Sequence, residues 1–554
     1  MLQILFSWIV MGIASFLFGK VIVDTVYRNN LTVMGKLDLY VVAGLIFLNV
    51  YAQTFSVFYK VAGVACTILG ILGVAAVAGY GVYLVKKKQK VSLGRLKAGW
   101  KKYHIIIIIL CCIATMVWTN EIPGQYDTGL YHAQAIHWIE EYGVVKGLGN
   151  LHMRFAYNSA FMSLQALFSL EWLVGQSLHT LNGFFCLTGL LYALLTIRVV
   201  GSDSWKISDL LKAVMIIYIV QNRYDISSSG TDIWAMLLVF YVFIKWSESA
   251  EKDIKTVDIY CFLSLVGAYA LTVKLSAAAV VILVLYPAVL LIKNKDIKKI
   301  MGNIVGGFAI VAPFLIRNVI ISGYLIYPYP SLDLFQVDWK MNPEVVRKDA
   351  EDITIWGRSR VGEYTDAVWN WLPKWFMAQS MGNRILLLAG LLAVFICIWY
   401  IVQCARKKMG RETILFIAGI ACLLVWLIGA PLMRYGIAYL YVVIALAIGA
   451  IPFGHRGKIL PIIAAVVLIP MLCMYLTGVV KVGTYEQKRW IKQHEYIPRA
   501  ATQYEVGNQS IWFPDEGDMM GYETFPGTPV KSQLDTLELR GTDLKDGFRT
   551  VMGK

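Results

Sequence analysis

The sequence predicts an all-α polytopic membrane protein. Of its 554 residues, 58% are hydrophobic and only 16% are charged, against about 25% in an ordinary soluble chain. Apolar runs long enough to cross a bilayer recur along its length, and Lys and Arg gather in the short segments between them. That second pattern is the charge bias of cytoplasmic loops. It also accounts for the net charge of +15. No basic helix with interleaved aromatics is present, so no nucleic-acid partner is expected.

A crossing helix needs about 20 mostly apolar residues. Such runs lie near 2–23, 37–59, 61–85, 103–119, 179–200, 209–222, 231–246, 257–273, 275–293, 300–316, 383–403, 412–430, 435–452 and 459–480, about fourteen spans in all. The first lacks the basic start of a secretion signal and more spans follow it, so it reads as a transmembrane helix. Lys86, Lys87, Lys88, Lys90, Arg95, Lys97, Lys101 and Lys102 follow the third span. Lys293, Lys295, Lys298 and Lys299 follow the ninth, Arg406, Lys407, Lys408 and Arg411 the eleventh, and Arg456 and Lys458 the thirteenth. All fall on the cytoplasmic side if the N-terminus is outside. The outer side then receives two long loops, 120–178 and 317–382, and the tail from about 481.

The first loop contains two helix-like stretches, 130–139 and 161–170, too short to span and expected to lie along the outer surface. The second is rich in Trp: Trp339, Trp356, Trp369, Trp371 and Trp375. Interfacial anchoring is the main expectation for these, and stacking on a sugar ring the other. The tail holds ten Lys or Arg and eleven Asp or Glu, so it is near neutral. It is too small for a large core and reads as a small β-rich cap. The organisation is therefore 1–102, three spans and a basic loop; 103–480, the main membrane core with both outer loops; and 481–554, the tail. The nine cysteines lie mostly inside apolar spans without metal spacing, as small buried hydrophobes.

The polar group after the fourth span is the most informative for function. Asn120, Glu121 and Asp127 stand where that span emerges. Ionisable groups at membrane depth are costly and mark functional sites. Asp127 has two compatible uses. As a general base it would take a proton from an attacking hydroxyl, with a pKa raised by desolvation. As the residue before a helical run it would be an N-cap. Glu121 is auxiliary or an interfacial anion. His132 and His137 are five apart, which does not face two imidazoles on one helix. They and His152 read as polar interfacial residues, with no metal site expected.

Cations stand at the same ends of later spans. Arg317 precedes Asn318 and the turn Gly323-Tyr324-Leu325-Ile326-Tyr327-Pro328, and arginine matches phosphate bidentately. Its alternative is a residue snorkelling at a helix end. Lys274 and Arg434 are each open between phosphate contact and ion pair. Arg223 and Asp225 read as an internal pair, with substrate contact as the other use, and Asp232 lies in the same turn. No P-loop, HExxH or GxSxG motif is present.

These features resemble the GT-C class of integral-membrane glycosyltransferases. The matching pieces are 103–119, then Tyr126-Asp127, then the two stretches of the 120–178 loop. The Arg317-Asn318 turn and the tail phrase Leu539-Arg540-Gly541 are similar to bacterial members, so the resemblance covers about 103–554. It implies a GT-C-like core in a bacterial plasma membrane. It also implies inverting transfer of a sugar from a polyprenyl-phosphate donor to a glycan or lipid acceptor on the outer face, in cell-surface polysaccharide synthesis. Asp127 would be the catalytic base. Arg317, with Lys274, Arg434 or Arg223, would hold the phosphate, and Glu121, His132 and Asp232 would assist. No cofactor is implied; a divalent cation is compatible with the class but not expected here. The class often shows paired carboxylates, whereas Asp127 is followed by Thr128. A lipid-linked oligosaccharide flippase would place charges in mid-span and show inverted halves, and neither is evident. A polysaccharide polymerase or ligase is separated less well, since it too uses outer arginines.

Overall fold

The computed structural model describes residues 1–27, 36–87, 101–198, 205–406, 410–451 and 456–550. The chain is a helical, multi-pass membrane protein. Four helices open it: α1 (Leu2–Val26), α2 (Lys36–Phe58), α3 (Gly63–Lys86) and α4 (Lys102–Thr119). The 120–178 segment carries α5 (Ala133–Glu141) and α6 (Ala160–Leu167). Then come α7 (Leu181–Thr196), α8 (Ile207–Gln221), α9 (Asp232–Glu251) and α10 (Asp258–Val273). Next are α11 (Leu275–Lys293) and α12 (Ile297–Ser322). The 317–382 segment holds α13 (Pro343–Gly357) and α14 (Val368–Ala378). The last four are α15 (Met381–Ala405), α16 (Arg411–Gly429), α17 (Met433–Ala450) and α18 (Arg456–Lys481).

Among the described residues, eleven helices are long and apolar enough to cross a membrane. The remaining spans expected from sequence are also helical, but α7, α8 and α10 have only 16, 15 and 16 residues. Much of the basic sequence that sets the orientation, Lys88, Lys90, Arg95, Lys97, Lys407 and Lys408, lies outside the described residues.

Helix α9 is the central post, with Asp232 through Ser249 all buried. Apolar residues all round a helix require neighbours on every side. Its lower end carries charge, which is balanced. Lys245 lies 2.6 Å from Asp38 and 3.5 Å from Glu248, and Glu248 lies 2.7 Å from Lys212. Removing one partner of such a buried group leaves an uncompensated charge. Helices α1 and α2 meet backbone to backbone. A Cβ on Gly19 would land on the Tyr40 carbonyl, and one on Gly44 on that of Ser15. Only small residues permit this approach.

The 120–178 and 317–382 segments and the tail depart from expectation. Both helices of the 120–178 segment form, yet α6 is buried throughout and α5 nearly so, rather than lying bare on a surface. The tail covers α5. Gln134 donates to the Gly521 and Thr524 carbonyls at 3.1 and 2.9 Å, and His137 stacks between Tyr522 and Phe525 at 4.2 and 3.9 Å. The tail is less β-rich than expected. Its strands β1 (Ala501–Val506) and β2 (Gln509–Pro514) form one antiparallel pair, and β3 (Leu537–Leu539) and β4 (Phe548–Thr550) another. Strand β4 docks where Gly147 takes φ +65°, a conformation glycine adopts freely, and any Cβ there would strike the Phe548 carbonyl. Arg540 anchors the tail to the 317–382 segment through Asp338 at 2.8 Å. Trp371 and Trp375 are buried rather than interfacial, Trp339 bonds the Val319 carbonyl, and only Trp356 and Trp369 are exposed.

The same contact buries Glu140. Tyr522 donates to it at 2.6 Å and Ser177 at 2.9 Å. Burial pushes its carboxyl from 4.5 to about 8, against the pull of those hydrogen bonds. The folded state thus holds a proton that the unfolded chain releases between those two values, so stability falls as pH rises from 4.5 to about 8. Glu140→Gln is expected to flatten that slope in melting curves recorded across the interval. Gly44→Leu is expected to force α1 and α2 apart, costing at least the about 1–3 kcal/mol of ordinary overpacking and so lowering the melting temperature.

Candidate functional site

Asp127 is set by a change of helical pitch. After α4, Pro123 and Gly124 break the chain, and a π-helical turn, Thr128–His132, leads into α5. Such turns concentrate at functional sites. Asp127 itself is helical, φ −61° and ψ −24°, and makes no side-chain cap bond. Of its two sequence-level uses, the cap is therefore not realised. Its carboxylate instead accepts from Arg434 at 2.7 Å, with the carboxylate 14% and the guanidinium 39% exposed. Arg434 stands in the first turn of α17, just after Pro431-Leu432.

A second ion pair lies alongside. Lys274, extended between α10 and α11, reaches Asp232 at 2.5 Å. Two bridges join the pairs. The Tyr435 ring lies 4.1 Å from the Lys274 ammonium and 5.0 Å from the Arg434 guanidinium. Gln125, two residues before Asp127, donates to Asp232 at 3.3 Å. Asp232, Arg434, Gln125 and Asp225 line one polar cleft with Asn182 and Asn222. His132 is buried beside them, its Nδ1 without a hydrogen-bond partner among the described residues.

Burial pushes the Asp127 carboxyl upward, but nearby positive charge from His132, Arg434 and Lys274 outweighs it and holds the group below the ordinary carboxylate range. Burial also pushes His132 down to about 4, so at neutral pH Arg434 and Lys274 supply that charge. This corrects the expectation of a basicity raised by desolvation. The cations that would serve a phosphate suppress it.

Asp127, Arg434, Lys274, Asp232 and His132 are thus brought together; the other sequence candidates are not. Arg223 does not pair with Asp225. It donates to the Val220 carbonyl and lies over the Tyr224 ring at 4.2 Å and the Trp118 ring at 5.6 Å. Asp225 remains at the cleft. Glu121 is a brace between α4 and the chain after α18, accepting from Tyr485 at 3.2 Å with Lys481 at 3.4 Å. Arg317 is 2% exposed and held by Asn158 and Ser56. His137 and His152 are interior residues rather than interfacial ones: the first serves the tail and the second is 1% exposed.

Sequence reasoning passed over Arg154. It lies in a 3-10 turn, Met153–Ala156, with its guanidinium 4.5 Å over Trp356. Among the described residues no carboxylate lies within 4.0 Å of it, although Asp127 and Asp349 act on it through space. It had the signal that singled out Arg317, a lone arginine on the side where basic residues are scarce. The tail contribution carried no such signal. Tyr126 donates to Asp518, and Met520 and Gly521 both donate to the Gly129 carbonyl at 3.0 Å. Among the described residues, no group of three or more His, Cys, Asp or Glu is placed to hold a metal ion.

Arg434→Gln is expected to release the Asp127 carboxyl upward, since burial then meets less positive charge. Infrared difference spectra over an acid titration would read this, with Asp127→Asn identifying the band. An unchanged midpoint would show that Arg434 does not govern the carboxylate.

No curated protein and no solved structure matches the chain. A family match covers residues 1–441, including α1–α3 together with every residue of the Asp127 group. The chain therefore belongs to the family described as Domain of unknown function (DUF8201).

Proposed function

We propose that the protein is a membrane glycosyltransferase that moves a sugar from a polyprenyl-phosphate donor to a glycan or lipid acceptor. The observation that carries this reading is one partly open carboxylate, Asp127, in contact with Arg434 and beside Lys274 at helix ends. A membrane crossing by α7, α8 and α10, with the N-terminus outside, puts this group on the extracytoplasmic face.

The arrangement suits a displacement at a sugar carbon. Asp127 takes the proton of the acceptor hydroxyl while its oxygen bonds the anomeric carbon. The bond from that carbon to the phosphate oxygen breaks, and its electron pair leaves with the phosphate. Arg434, Lys274 and Arg154 supply positive charge where the negative charge develops. Donor binding also frees the base. A phosphate competes with Asp127 for Arg434, and a carboxylate relieved of its guanidinium becomes more basic. The ground-state pair is then a resting form, opened by the substrate itself.

Asp127→Asn, expressed at the wild-type level in a deletion strain, is expected to remove one sugar from the surface glycans. Its lipid-linked donor should accumulate, both read by mass spectrometry. Restoration of the same glycans by wild type and variant would remove Asp127 from catalysis and favour lipid-linked oligosaccharide transport. Loss of chain length with every sugar retained would favour a polymerase or ligase.

A further inference from the structure

The tail makes contacts beside Asp127 that covering an apolar face does not require. The cover itself is made by rings on α5. Tyr522 and Phe525 stack on His137, and Phe525 and Phe548 meet Trp138 edge-on. Residues 518–521 reach further back, to the turn before α5. The Gly129 carbonyl, within the π-helical turn, accepts from the Met520 and Gly521 N–H groups, both at 3.0 Å. A carbonyl has two lone pairs, and two consecutive N–H groups converge on this one. Gly521 takes φ +69°, the left-handed conformation that turns successive N–H groups towards a single acceptor. Gly129 has no side chain to keep the tail away: a Cβ there would stand 3.2 Å from Met519 Sδ. On the other flank, Tyr126 donates to Asp518. The tail thus grips the residue before Asp127 and the second residue after it, and leaves the carboxylate itself to Arg434.

A π turn carries one residue more than the α turn it replaces. Loss of that extra residue from the turn would rotate what precedes it by about 100° relative to α5, the angle of one residue in an α-helix. Helix α5 cannot follow. It is buried nearly throughout, and Gln134 in its first turn is tied at both ends of its amide. The amide donates to the Gly521 and Thr524 carbonyls and accepts from the Gly527 N–H at 3.1 Å. The rotation would therefore fall on Asp127 and carry its carboxylate off the Arg434 guanidinium.

We infer that residues 518–521 belong to the Asp127 centre as a positioning element, which holds the wide turn in place and so aims the Asp127 carboxylate at Arg434. Residues near the end of the chain thereby join a site whose charged members lie between Asp127 and Arg434. This role stands apart from the glycosyltransferase reading, because its test follows the carboxyl and not transfer.

The test uses the full-length protein in nanodiscs. It reads the Asp127 carboxyl by infrared titration, with Asp127→Asn identifying the band, alongside the melting temperature. Gly129→Val drives methyl groups into Met519 and parts the turn from the tail. The Asp127 midpoint is expected to rise by about one to three pH units, the span that loss of a neighbouring arginine allows. Adding Met519→Ala to the same chain makes room and is expected to bring the midpoint most of the way back. Tyr126→Phe removes only the bond to Asp518 and is expected to raise the midpoint by a smaller step. Phe525→Ala strips the cover from His137 and Trp138, and is expected to lower the melting temperature while leaving the midpoint in place. All these variants keep Arg434, Lys274, His132 and Arg154, whose charges act on Asp127. An unchanged midpoint in Gly129→Val would overturn the inference, as would an unchanged midpoint in Tyr126→Phe if Gly129→Val does not fold. A rise that Met519→Ala does not reverse would also overturn it. So would an equal rise in Phe525→Ala, which would reduce the tail to a cover.

Discussion

The contact between Asp127 and Arg434 joins positions 307 residues apart in the chain. Much of the architecture serves to make it possible. Asp127 is placed by the pitch change after α4, and Arg434 by the proline-bounded start of α17. Between them, Lys274 and Asp232 supply a second pair at the meeting of α9, α10 and α11. None of these side chains could stand alone at this depth, because each charge carried out of water needs its opposite within reach. The result is a polar group whose members hold one another in position and whose net charge is close to zero. An anionic ligand entering such a group would have cations to take and a carboxylate to release.

The same constraint acts elsewhere with a different outcome. At the far end of α9 the charges of Asp38, Lys245, Glu248 and Lys212 are closed on themselves, with Lys212 and Lys245 nearly inaccessible. That arrangement holds helices together and offers nothing to a ligand. The Asp127 group differs by its partial exposure and by the cleft that reaches Asp225. Exposure and cleft, rather than the number of charges, separate a site from a clasp.

How much was legible in the sequence follows from range. The spans could be read because about 20 apolar residues in a row have one meaning beside a bilayer. Asp127, Lys274 and Arg434 could be read because a charge at a span end is expensive wherever the partner lies. The pairings were not legible. Arg223 and Asp225 are close in sequence and part in space, while Asp127 meets a residue in another helix. The cap reading of Asp127 failed for the same reason: local propensity favoured a cap, and a distant guanidinium took the carboxylate. Trp371 and Trp375 look like interfacial anchors by composition, yet the Gly357 carbonyl and neighbouring rings draw them inward. His137 looked polar and interfacial until Tyr522 and Phe525, far along the chain, closed over it.

The cover that residues 500–550 lay over α5 has a bearing on biosynthesis. Helix α5 leaves the ribosome hundreds of residues before Tyr522, Phe525 and Phe548 exist. Through that interval Trp138, His137 and the Gln134 amide have no partner, and an apolar face intended for the interior is bare. The Asp127 group waits as well, since Arg434 arrives late and the Gly129 carbonyl receives Met520 and Gly521 later still. The 120–178 segment is therefore completed only by residues translated hundreds of positions after it. A product cut short before residue 500 is a bundle of helices in which α5 keeps an uncovered, adhesive apolar face. Quality control in the membrane can recognise that face without reading any part of the Asp127 group.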